Sequence, residues 1–184
     1  MVRTMKATGI VRRIDELGRV VIPKEIRRTQ RIRQGDTLEI FTAADGEVVF
    51  KKYSPLVELG HISAIYTEVL AKSLGCTVLV CDRARVVAAA GGGKTDMMDR
   101  EISTEVEHLL SGRSPYTAPE NPAKRLHLFE RGERLILCVA PIVAHGDVEG
   151  GVLLPGTARD PAPRPETVQA ITTAASFLSR WMEE

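Results

Sequence analysis

The tightest limit on how this chain can fold comes from its first 53 residues. Apolar residues recur there at strand and helix spacing (Ile10, Ile14, Val20, Ile22, Ile26, Ile32, Leu38, Ile40, Val48, Phe50), but the segment closes at Ser54-Pro55. A unit of about 50 residues buries too little surface to be comfortably stable alone, so a further source of burial is required. No cysteine and no metal-ligand set occurs in this stretch. Pairing with a second copy completes the core most simply, and an obligate homodimer is expected.

Inside this segment Thr8 to Ile14 reads as a strand, Asp15-Glu16-Leu17-Gly18 as a connection and Arg19 to Ile22 as a second strand. Pro23 suits the first position of a short helix continuing through Lys24-Glu25-Ile26-Arg27-Arg28-Thr29. After a turn at Gln34-Gly35-Asp36, Thr37 to Thr42 and Glu47 to Tyr53 alternate as two strands around Asp45-Gly46, a strong hairpin signal.

The remainder is patterned differently. Leu56 to Leu74 carries apolar residues at helical spacing and Gly75 caps it. Strands are expected at Cys76 to Cys81, Val86 to Ala90, Leu126 to Phe129, Leu135 to Val143 and Val148 to Leu154. A helix centred on Ile102, Val106, Leu109 and Leu110 closes at Gly112, residues 114–123 read as a loop, and a last helix starts at Glu166. The expectation is an α+β chain of two domains, 1–54 and 55–184, the second a five-stranded antiparallel sheet framed by a helix at each end. Those end helices are expected to build a subunit interface, with Trp181 as its anchor.

Charge separates the same two parts. Residues 1–53 hold 12 Lys/Arg against 7 Asp/Glu, net +5, whereas residues 54–184 hold 13 against 17, net −4. Only the front suits a polyanion. Arg12, Arg13, Arg19, Arg27, Arg28, Arg31 and Arg33 crowd into it. Their neighbours Ile10, Val11 and Ile14 argue against a disordered basic tail, although a basic face on a small domain is often no more than solvated surface. Planar guanidinium forks on a rigid scaffold can grip phosphates or guanine edges bidentately.

Other chemistries find little support. No apolar run approaches the roughly 20 residues that span a bilayer, and a signal-peptide core is missing, so a cytoplasmic location without membrane attachment is expected. Cys76, Cys81 and Cys138 form no Cys-x-x-Cys pair, and a reduced, structural role is expected. His61, His108, His127 and His145 lack ligand spacing; no metal and no cofactor is expected. Ala88-Ala89-Ala90-Gly91-Gly92-Gly93-Lys94-Thr95 nearly spells a phosphate-binding loop. Ala88 stands where the motif needs glycine, and Asp96 and Asp99 follow where a phosphate would sit, so an enzyme is not expected.

The run from Met5-Lys6-Ala7-Thr8-Gly9-Ile10 through Val11-Arg12-Arg13-Ile14-Asp15-Glu16-Leu17-Gly18-Arg19 to Val20-Val21-Ile22-Pro23, with Lys24 to Thr29, closely resembles the AbrB family of transition-state regulators. The chain begins four residues ahead of that pattern. Lys51-Lys52-Tyr53-Ser54-Pro55, Ser73-Leu74-Gly75, Cys81-Asp82-Arg83, Ala140-Pro141-Ile142-Val143 and Gly146-Asp147 extend the resemblance to the SpoVT-type branch, whose rear half is a GAF domain. The resemblance implies a swapped-hairpin β-barrel made by two interleaved chains. By motif position it implies DNA contacts from Arg12, Arg19, Arg27 and Arg28, with Arg13 where the family often has lysine. It further implies loosely specified, A·T-rich duplex DNA as partner, a homotetramer through the rear domains, and transcriptional control in the forespore, in association with the nucleoid. A GAF domain can hold a small-molecule effector, and Gly91, Gly92, Arg125, His127 and Pro141 are the candidate lining, at loops and strand ends. Two rivals stand beside this: a rear domain that only assembles subunits, and an antitoxin-like repressor using the same barrel.

Overall fold

A computed structural model describes residues 7–184; Met5 and Lys6, which open the family-like run, lie outside the described residues. The chain divides into two compact units, one ending at Tyr53 and the other starting at Ser54.

In the front unit Pro23 is the N-cap of α1 (Lys24–Thr29), one residue before the helix proper, with its φ of −58° already close to helical. The helix is stopped by Arg31, which turns left-handed at φ 51°. The Ile32 N–H then reaches back to the Arg27 carbonyl at 2.7 Å, satisfying a helix-end acceptor. The Lys52 ammonium donates to the Arg31 carbonyl and lies 3.5 Å from the Asp36 carboxylate, which also accepts the Arg33 N–H at 2.8 Å. The helix end is thereby tied to the hairpin of β1 (Leu38–Thr42) and β2 (Val48–Lys52), where Ile40 faces Phe50 across the ladder.

The two strands expected at 8–14 and 19–22 are not sheet strands within a single chain. Among the described residues, the backbone bonds joining this stretch to itself lie in its turn: Asp15 N–H to the Arg19 carbonyl at 3.1 Å and Gly18 N–H to the Asp15 carbonyl at 2.9 Å. A lone two-stranded ribbon is marginal in water, and among the described residues no third strand of the same chain supports it.

The rear unit is a five-stranded antiparallel sheet in the order β4-β3-β7-β6-β5. Its strands are β3 (Val78–Asp82), β4 (Val86–Ala90), β5 (Tyr116–Thr117), β6 (Leu135–Ala144) and β7 (Asp147–Gly156). The strand count matches the expectation, but one strand is a different segment. Leu126 to Phe129 forms only an isolated bridge, His127 with Leu135, because the chain doubles back immediately into β6. The fifth strand is Tyr116–Thr117, inside the stretch read as loop, which pairs with Val139 and Cys138. Flanking prolines at 115 and 119 hold it to two residues. The helix expected over 56–74 is two, α2 (Pro55–Glu58) and α3 (Gly60–Leu74), meeting at Leu59 and Gly60, where glycine costs about 1 kcal/mol of helix propensity. Ile102 precedes α5 (Thr104–Ser111), whose N-cap Ser103 accepts the Val106 N–H at 3.2 Å.

Alternation along the strands divides the core. Val78, Val80, Ala140 and Val152 pack beneath α3 and α6 (Pro165–Met182), together with Ile171, Ala174 and Leu178. Leu79, Cys81, Val139 and Leu153 face the opposite side and are covered by Met97, Ile102, Val106, Leu110, Leu128 and Phe129. Cys76 packs with the first cluster and Cys81 lies in the second, on opposite sides of the sheet. At Gly150 a Cβ would lie 2.0 Å from the Cys81 carbonyl oxygen, so only glycine permits this approach of β7 to β3.

Candidate nucleic-acid interface

Pro23 is the one buried residue among the described residues of the front unit. Val11 is 89% exposed, Leu17 74%, Val21 72% and Ile14 69%, while Ile40 and Val48 are also mostly in water and Phe50 nearly half. Covering one such side chain is worth about 1.5–3 kcal/mol, so an uncovered set of this size is a core divided between chains. The dimer expectation rests on this exposure.

Arg12, Arg13, Arg19, Arg27 and Arg28 are all exposed. Arg12 and Arg13 are adjacent in a stretch without regular secondary structure; at the period-two spacing of a strand, Arg12 falls on the side of Ile10 and Ile14 and Arg13 on the other. Arg27 and Arg28 occupy the last turn of α1, where cations suit the helix dipole. Among the described residues these four show no side-chain partner, and no contact joins the five to one another.

Arg19 differs. Its Nε donates to Asp15 Oδ2 at 2.8 Å. Asp15 Oδ1 meanwhile accepts the N–H groups of Arg19 at 2.8 Å and Leu17 at 3.0 Å. These bonds, the Arg19 N–H first and its guanidinium next, hold the Asp15 carboxyl below the usual carboxylate range. Sequence reading passed over Asp15; its signal is the four-residue spacing to Arg19 across a glycine turn, Gly18 at φ 75°.

The five rear candidates are dispersed. Gly91 and Gly92 line an open cleft of about 460 Å³ with Glu68, Lys72, Cys76, Thr77 and Lys94. Thr77 Oγ1 donates to the Gly92 carbonyl at 2.9 Å. Arg125 is buried elsewhere, its guanidinium donating to the carbonyls of Pro119 (3.1 Å), Glu120 (3.3 Å), Thr157 (3.2 Å) and Asp160 (2.8 Å). His127 is exposed and its N–H donates to Glu105 Oε2 at 2.7 Å. Pro141 lies within β6 opposite Gly151. Arg125, His127 and Pro141 are absent from the cleft's lining. The glycine run is followed directly by α4 (Lys94–Met97), but the helix is a single turn leaving an antiparallel sheet, not the strand–helix alternation of a phosphate-binding loop. Among the described residues no group of three or more His, Cys, Asp or Glu could hold a metal, and no helix is long and apolar enough to cross a membrane.

Residues 58–183 match the family model described as stage V sporulation protein T C-terminal, transcription factor. Stage V sporulation protein T of Bacillus subtilis (strain 168) is 48% identical over 182 residues, 98% of this chain and 100% of that protein. The chain belongs to the stage V sporulation protein T family. This makes it a transcription factor of the SpoVT/AbrB type and not an enzyme. The front of this SpoVT-family chain is 59% identical over 51 residues to the transition state regulatory protein AbrB of B. subtilis (strain 168), 28% of this chain and 52% of that protein. Residues 11–56 also match the model for antidote-toxin recognition MazE, bacterial antitoxin. The second GAF domain of DevS from Mycobacterium smegmatis aligns with a TM-score of 0.50 at 16% identity, covering 66% of this chain and 91% of that one. That likeness speaks to fold alone: the SpoVT-family rear unit is GAF-like, and the α+β class expected from the sequence stands.

Proposed function

We propose that this chain regulates sporulation-stage transcription by binding duplex DNA through Arg12, Arg13, Arg19, Arg27 and Arg28 of a dimeric swapped-hairpin barrel spanning residues 1–54. One observation carries the reading: exposed arginines share a unit with apolar side chains that a single chain leaves uncovered. Pairing two chains buries the apolar set and doubles the arginines into a two-fold array. Guanidinium grips on the backbone, combined with shape readout, suit A·T-rich targets of loose consensus. Residues 55–184 act as the regulatory and assembly domain. Exposed Ile65 and Val69 of α3 and Phe177 and Trp181 of α6 support a homotetramer through these helices. The cleft at Gly91 and Gly92 is the proposed seat for a small-molecule effector. The place of action is the nucleoid, in the forespore.

Anisotropy titration of a labelled A·T-rich duplex across a salt series tests the assignment. Each neutralised phosphate should contribute about −0.9 to the slope of log affinity against log salt. Arg12→Ala or Arg27→Ala should weaken binding and flatten the slope with an unchanged circular dichroism spectrum; a flat slope in the unaltered chain refutes the arginine assignment. An antitoxin-like repressor is the second reading, favoured by the MazE-type match at 11–56. The folded unit at 58–183, where a toxin-wrapping tail would run, weighs against it.

A further inference from the structure

Asp15 places a negative charge among the arginines of the front unit, four residues from one of them. Simple electrostatics makes that a defect in a surface meant for phosphates, since a carboxylate repels the backbone that the arginines attract. Its bonding suggests what offsets the defect. One carboxylate oxygen accepts two backbone N–H groups and closes the turn; the other accepts the Arg19 Nε–H at 2.8 Å. A guanidinium carries five N–H donors in a rigid plane. With Nε engaged, one donor is committed to Asp15 and the motion of the plane is restricted, while the Nη donors are left for another acceptor. Without the carboxylate, Arg19 keeps the freedom of an exposed side chain, and ordering it on contact costs about 0.5–1.5 kcal/mol.

We propose that Asp15 is a positioning residue for DNA recognition, holding the Arg19 guanidinium by Nε so that its Nη edge is presented ready-aligned to the duplex. The inference rests on the DNA-binding reading above. It differs from a turn-closing role, because the two carboxylate oxygens do separate jobs. Asparagine separates them: its Oδ1 can still accept the Leu17 and Arg19 N–H groups, whereas its amide nitrogen is a donor and cannot receive the Arg19 Nε–H.

The test is a double-mutant cycle in the full-length chain, read as affinity for one labelled A·T-rich duplex at fixed salt near 0.15 M, with circular dichroism and oligomeric state as controls. Asp15→Asn removes a negative charge, so charge alone predicts tighter binding; positioning predicts binding about three- to tenfold weaker. In an Arg19→Ala background the same change should be neutral or tighten binding, because no guanidinium is left to orient. Asp15→Asn that binds as well as or better than the unaltered chain overturns the proposal. Equal weakening in both backgrounds overturns it too, since that is the mark of a turn-closing role alone. If the unaltered chain ignores the duplex, the DNA-binding reading falls and the proposal with it; the first two failures leave that reading in place.

Discussion

The ring of Tyr66 stacks on the ring of Phe177 with centroids 4.7 Å apart and planes 12° from parallel. It joins the first long helix of the rear unit to the last, and Trp181 extends the stack at 5.8 Å from Phe177. Aromatic pairs at this spacing add about 0.5–1.5 kcal/mol beyond the area they cover. Phe177 and Trp181 keep part of their surface in water, on the helix face proposed above for assembly. Trp181→Ala should leave the rear unit folded but convert tetramers to dimers in sedimentation velocity, with duplex binding weakened through lost multivalency. Tetramers persisting in Trp181→Ala at low micromolar concentration would remove Trp181 from the interface.

Arg125 is the main clamp on the loops after β5 and β7. Substitution by methionine keeps bulk but strips four carbonyl oxygens of their donor, each a loss of about 1–3 kcal/mol when buried. Arg125→Met should lower the urea midpoint of the rear unit by the equivalent of about 3 kcal/mol or more, and Arg125→Lys should recover little, because an ammonium cannot span four acceptors in one plane. A cost below about 1 kcal/mol would mean that water replaces the guanidinium.

Gly150→Ala sets a methyl group against the Cys81 carbonyl at 2.0 Å and Leu56 Cδ1 at 2.6 Å. Neither backbone nor a fully buried leucine can yield cheaply, and overpacking of this kind costs about 1–3 kcal/mol. Differential scanning calorimetry should show a clear fall in Tm for the rear transition, and an unchanged Tm would contradict the register of β7 on β3. Gly146→Ala is the control: nothing lies within 4 Å of its Cβ position, although its positive φ still carries some strain.

Burial pushes the Cys138 thiol up to about 11 and Cys81 higher still, with the Asp82 charge adding to the latter. Burial raises Cys76 as well, but that side chain stays partly accessible. Because the thiolate is the reacting form, Cys76 should be alkylated first at pH 7.5, and Cys81 only on unfolding. Mass spectrometry after timed iodoacetamide exposure reads the order; early labelling of Cys81 would overturn the packing of β3.

Strongly periodic segments were legible in the sequence. Val86 to Ala90 is a strand as expected, the last helix starts one residue ahead of Glu166, and Asp45-Gly46 turns the front hairpin. The failures share a cause. Leu126 to Phe129 has the composition of a strand, but whether it pairs depends on the direction of the chain beyond it, which no local pattern encodes. Tyr116–Thr117 is too short to show periodicity and owes its pairing to the edge that β6 offers. For the candidate sites, residue type was readable where partners were not. Arg125 looked like a ligand contact, yet its four acceptors are backbone carbonyls up to 35 residues away, invisible to side-chain motifs. Asp15 was passed over because an acidic residue reads as opposed to the function its neighbours suggest.

The bareness of Val11, Ile14, Leu17 and Val21 also bears on when such a protein is switched on. A module that finds its interior only in company melts by a bimolecular law: its midpoint climbs with the amount of polypeptide. Abundance then enters twice, through occupancy of sites on the chromosome and through the existence of anything able to occupy them. A modest rise in synthesis is thus converted into a steeper rise in competent regulator without any added effector.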